Sequence, residues 1–98
     1  MRDLKLYYKE SCPFCKKVIQ FMARNGIEVE MMDIKADPKN QEDLIKLGGI
    51  DQVPMLLIDG KPLYESSDII QWFKDNTFLK NKFAFLKEYD TISNNLTV

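Results

Sequence analysis

Two cysteines stand three residues apart in Cys12-Pro13-Phe14-Cys15, and the chain has no others. Thiols at this spacing either help to ligate a metal or exchange electrons as a pair. The sequence has no histidine, so a four-ligand zinc site would need carboxylates or a second chain. A shared iron–sulfur cluster would likewise need thiols from elsewhere, and two unrelated core cysteines are the bland alternative. Placement favours redox chemistry, because the motif falls where an alternating segment, Leu4 to Tyr8, gives way to helical periodicity. A helix beginning here aims unpaired N–H groups at the Cys12 sulfur and favours the nucleophilic thiolate. Lys9 and Lys16 add positive potential. Cys15 lies one helical turn deeper and less exposed, so the pattern makes Cys12 the attacking thiol and Cys15 the resolving one.

A structural disulfide explains the pair less well. Closing a loop of about four residues contributes only about 2 kcal/mol, and a reducing cytosol does not preserve such a bond. In motifs of this class the attacking thiol titrates between about 7 and about 3.5. That raises the thiolate fraction but lowers its nucleophilicity by a similar factor, so the gain lies in leaving-group ability from a mixed disulfide.

The elements that position the pair follow from the surrounding pattern. A first strand covers Leu4 to Tyr8, and a helix follows with Phe14, Val18, Phe21 and Met22 as its apolar stripe. Pro13 suits the first turn and Asn25-Gly26 the stop. Ile27 to Ile34 reads as a second strand. Asp37-Pro38 opens a second helix through Leu44 to Leu47, closed by Gly48-Gly49. Pro54 to Asp59 is a third strand, apolar throughout and therefore central. Asp59-Gly60 turns the chain into a short fourth strand, Lys61 to Tyr64. Ser66 or Ser67 caps a third helix with Ile69, Ile70 and Phe73 facing the core. Leu79, Phe83 and Leu86 predict a further helix over about 78–90. The order predicts an α/β fold: a four-stranded mixed sheet with helices on both faces and an extra C-terminal helix.

The chain's 98 residues suit one domain, with a core over about 4–76. Hydrophobic residues at 45% and charged residues at 30% are ordinary globular composition. A net charge of −1 gives no electrostatic case for nucleic acid or for an anionic membrane. The charged N-terminal residues lack an apolar signal core, and no apolar run approaches the ~18–20 residues of a membrane span. The expectation is a cytoplasmic monomer.

Two further segments have functional readings beside ordinary ones. Val53-Pro54 opens the third strand; an extended Val53 offers its N–H and C=O to an extended peptide, although a proline that merely starts a strand has the same pattern. Glu65-Ser66-Ser67-Asp68 opens the third helix, whose free N–H groups suit a carboxylate while Asp68 suits an ammonium. Simple helix capping explains the same residues. Lys9, read alone, is a solvated charge at a strand end.

Taken together, these residues resemble the glutaredoxins of the thioredoxin fold over roughly Leu4 to Asn76. The matching pieces are Tyr8-Lys9, Cys12-Pro13-Phe14-Cys15, Val53-Pro54 with its apolar strand, Asp59-Gly60, and Ser67-Asp68. The resemblance implies a cis Pro54 beside the cysteines and glutathione as co-substrate, with no tightly bound cofactor and no metal. Lys9 would face the glycine carboxylate, Val53 would pair with the cysteinyl backbone, and Ser67 with Asp68 would hold the γ-glutamyl end. Phe14, Pro54 and Ser66 complete the implied glutathione site. Implied substrates are disulfide-containing and glutathionylated proteins, reduced through both cysteines or through Cys12 alone.

Many members have tyrosine where Phe14 stands, threonine where Gln52 stands, and Gly-Gly where Glu65-Ser66 stands. Glu65-Ser66 instead resembles the N-terminal domain of glutathione S-transferases, where that serine also receives the γ-glutamyl carboxylate. Two alternatives stay open at this point: a redoxin served by another reductase or low-molecular-weight thiol, and an iron–sulfur or glutathione-binding module without turnover.

Overall fold

A computed structural model describes residues 3–76; the helix expected over about 78–90 lies outside the described residues. In chain order the elements are β1 (Leu4–Tyr8), α1 (Pro13–Asn25), β2 (Glu30–Asp33), α2 (Pro38–Gly48), β3 (Met55–Ile58), β4 (Lys61–Tyr64) and α3 (Ser66–Asn76). The strands form one sheet in the order β2-β1-β3-β4. β1 and β2, joined through a helix, run parallel, with Lys5 opposite Glu30 and Tyr8 opposite Asp33. β3 is antiparallel to β1, with Leu6 opposite Leu56, and β4 returns antiparallel to β3, with Met55 opposite Tyr64.

The strand period of two divides the core between the two faces. Leu6 and Leu56 point to one face, where they meet Val18 and Met22 of α1 and Ile69 and Phe73 of α3. Tyr7, Met55 and Leu57 point to the other and meet Leu44 of α2 and Ile34, the residue after β2. Each fully buried leucine or isoleucine contributes about 1.5–3 kcal/mol. β3 is buried along Met55, Leu56 and Leu57, as its unbroken apolar run predicts.

Three local expectations change. The second strand is shorter than Ile27 to Ile34, because Ile27 is engaged in closing α1: its N–H donates to the Met22 carbonyl at 2.9 Å. Gly26, left-handed at φ 67°, donates to the same carbonyl, and only from Glu30 does the chain lie alongside β1. Phe14 does not join the core stripe; it is 62% exposed, and the buried stripe of α1 begins at Cys15. The third helix has neither serine as its cap. Ser66 is its first residue, and the preceding Glu65, at φ 72°, accepts the Ile69 N–H at 3.0 Å.

Candidate active site

Cys12 is the N-cap of α1, extended at φ −90° and ψ 115°, with Pro13 in the first helical position. Its Sγ takes the place of a capping oxygen and accepts the Cys15 N–H at 3.3 Å. Its carbonyl accepts the Lys16 N–H at 3.0 Å, the first helical bond, and its own N–H donates to the Lys9 carbonyl at 3.2 Å. The turn from β1 into α1 is therefore fastened on both sides of the thiol. The two sulfurs are unbonded thiols.

Exposure separates them. Cys12 keeps 7% of its surface, whereas Cys15 keeps none. Burial, then the hydrogen bond to the Cys12 side chain, pushes the Cys15 thiol up to about 12 against an opposing pull from Lys9. Cys15 is accordingly a protonated thiol at neutral pH, and Cys12, though also buried, is the one of the two that keeps some exposure and lines a cavity.

The Val53-Pro54 peptide is cis, as the resemblance implies. The Val53 carbonyl faces the Cys12 thiol at a sulfur–oxygen distance of 4.0 Å. Two cavities meet at this loop. One, of about 470 Å³, has Lys9, Cys12, Lys35, Gln41, Asp51 and Val53 among its lining residues. The other, of about 540 Å³, is walled by Phe14, Lys17, Pro54, Glu65, Ser66 and Ser67. Gln52 and Val53 belong to both.

The cleft thus brings together Lys9, Cys12, Phe14, Val53, Pro54, Ser66 and Ser67. Asp68 stands apart: it is exposed in the first turn of α3 and lines neither cavity. Lys35, Gln41 and Asp51 are residues that sequence reasoning missed. No local pattern marks them, since they meet only when the β2–α2 turn, α2 and the loop before β3 converge. Glu65 and Gln52 were visible as departures from the family pattern. The structure joins them, with the Gln52 side-chain amide donating to the Glu65 carboxylate at 3.4 Å. Among the described residues, no group of three or more histidine, cysteine, aspartate or glutamate side chains is placed to hold a metal ion.

Residues 4–63 match the family described as Glutaredoxin. Glutaredoxin 3 of Escherichia coli strain K12 is 26% identical over 69 residues, covering 70% of this chain and 83% of that protein. Among solved structures, a mutant of the thioredoxin-like protein BC3987 superposes with a TM-score of 0.66 at 24% identity, covering 76% of this chain and 97% of that one. Glutaredoxin 2 of Salmonella typhimurium, solved in complex with glutathione, gives a TM-score of 0.62 at 28% identity, covering 76% of this chain and 34% of that one.

Proposed function

Since the chain belongs to the glutaredoxin family and has a thioredoxin-like fold, we propose that this thiol oxidoreductase depends on glutathione. It reduces glutathione mixed disulfides through Cys12 alone and protein disulfides through Cys12 with Cys15. The observation that carries this reading is the Cys12 sulfur at the N-cap of α1, facing Val53 at the junction of two cavities. A tripeptide laid across Val53 reaches Lys9 with its glycine carboxylate and the N-terminus of α3 at Ser66 and Ser67 with its γ-glutamyl carboxylate. Its sulfur then lies over Cys12. Pro54 and Phe14 supply the wall, and Asp68 meets the γ-glutamyl ammonium from the rim.

The exchange balances in two steps. The Cys12 thiolate attacks the glutathionyl sulfur, forming the Cys12–glutathione disulfide while the substrate sulfur leaves and takes up a proton. A second glutathione thiolate then attacks that disulfide and releases oxidised glutathione and the Cys12 thiolate. With a protein disulfide, Cys15 gives up its proton and displaces the reduced protein from Cys12, and two glutathione molecules restore both thiols. The proposed setting is a monomer in the reducing cytoplasm.

The test is steady-state reduction of a glutathionylated peptide, with glutathione and glutathione reductase supplying electrons. Sustained turnover is expected. No turnover while Cys12 still reacts with an alkylating agent would contradict the glutathione dependence and point to another electron donor.

A further inference from the structure

Gly48 and Gly49 are adjacent glycines kept for different reasons. Gly49, the left-handed cap of α2 at φ 87°, needs glycine for its backbone and has open space around it. Gly48 is the last residue of α2 and needs no left-handed backbone. Its reason is spatial: a Cβ there would run into the Tyr64 hydroxyl.

Tyr64 closes β4, and its ring packs against the core face formed by Tyr7, Ile34, Leu44, Met55 and Leu57. The hydroxyl oxygen is buried and makes no hydrogen bond among the described residues. Burial raises its pKa, against an opposing pull from the Ile50 backbone. Seated against Gly48, the hydroxyl stands at the start of the segment that leads to Cys12, and its position there has a structural use.

That use follows from what leads away from Gly48. Residues 49–53 run directly to the Val53 carbonyl over Cys12. The loop is tied at Asp51, whose carboxylate accepts from the Gln41 side chain at 3.2 Å, and at Gln52, which donates to Glu65. Glu65 immediately follows Tyr64. Two consecutive residues at the β4–α3 junction therefore bear on both ends of the loop, Tyr64 at Gly48 and Glu65 at Gln52. We infer that Tyr64 is a positioning residue: its hydroxyl, seated against Gly48, sets the distance of the Gln52–Val53 segment from Cys12 and so the fit of the substrate backbone. The kinetic part of this inference rests on the proposed glutathione reading; the structural part does not.

The experiment compares Gly48→Ala, Tyr64→Phe and the pair. Amide positions of Gln52 and Val53 in a ¹⁵N correlation spectrum report the loop, and KM with kcat for a glutathionylated peptide reports the site. Because the partly buried Tyr64 ring packs against the core, the alanine methyl should displace the loop more than the ring. Both amides should move, with KM rising about tenfold and kcat changing less. Tyr64→Phe alone should raise KM about two- to threefold. In the pair the methyl takes the place of the hydroxyl and still meets the ring carbon Cζ at 3.0 Å, so a shift of a few tenths of an ångström suffices. Amides and KM should then return most of the way to wild type, KM to within about threefold. A pair as impaired as Gly48→Ala, or unmoved amides in Gly48→Ala, overturns the inference. Should Gly48→Ala fail to fold, a folded pair with amides near their wild-type positions supports it and an unfolded pair overturns it. A wild type inert with glutathione defeats the proposed function, and the amide positions then decide the role of Tyr64 alone.

Discussion

Cys15 shows how residue-scale burial sets both chemistry and stability. With its thiol pushed from an ordinary 9.0 to about 12, the folded chain keeps a proton that the unfolded chain releases above pH 9. A group whose folded pKa is raised contributes fully below the unfolded pKa and loses that contribution as pH rises through the folded one. Stability should therefore fall between about pH 9 and about 12. Tyr7, Tyr8 and Tyr64, each raised by burial first, add to that alkaline loss. In Cys15→Ser the tyrosine share remains and the cysteine share disappears. Urea midpoints measured across this range should fall less steeply for the variant; parallel slopes would mean that Cys15 ionises in the folded chain much as in the unfolded one. The same burial made Cys15 legible in sequence as the deeper thiol. Phe14 shows the limit of that reading, since helical spacing from Val18 places it near the core while its first-turn position leaves it at the mouth of the cleft.

At the scale of elements, the boundaries of α1 and α2 were the most legible part of the chain, because their signals are chemical and local. Asn25-Gly26 and Gly48-Gly49 both end in left-handed glycines. Asp37 caps α2 by accepting the Lys39 N–H at 3.0 Å, as Asp-Pro in the sequence suggests. Asp37→Ala should destabilise the protein by about 1 kcal/mol and Asp37→Asn by only a few tenths. Chemical denaturation checks this, and an unchanged midpoint in Asp37→Ala would remove the cap from the account of α2. Strand extent was less legible. Ile27 and Val29 are apolar because they pack on the core of α1 and α3, not because they pair with a neighbour. Apolar pattern reports burial, whereas a strand needs an adjacent backbone. Glu65 illustrates a further gap: nothing in its type announces a left-handed backbone, which costs about 1–2 kcal/mol outside glycine. Its conformation follows from joining β4 to α3 in a single residue.

For the whole molecule, strand directions could be read from the connections: a helix between β1 and β2 makes them parallel, and a tight turn between β3 and β4 makes them antiparallel. Placing β3 between β1 and β4 brings Val53 against the N-terminus of α1, so Cys12, Lys9, Val53 and the two serines converge although they span most of the described chain. Lys35, Gln41 and Asp51 reach the same cleft only through that topology, which is why no motif marked them. Convergence on the one cysteine that lines the cleft, with a fully buried protonated partner behind it, is what divides the proposed work between Cys12 and Cys15. The most direct test is to mix Cys15→Ser with a glutathionylated peptide and follow the enzyme by mass spectrometry. One glutathione should appear on Cys12 and leave on adding free glutathione, with turnover maintained, whereas Cys12→Ser should neither accept glutathione nor turn over. Equal loss of activity in both variants, or an adduct that forms without Cys12, would contradict the assignment.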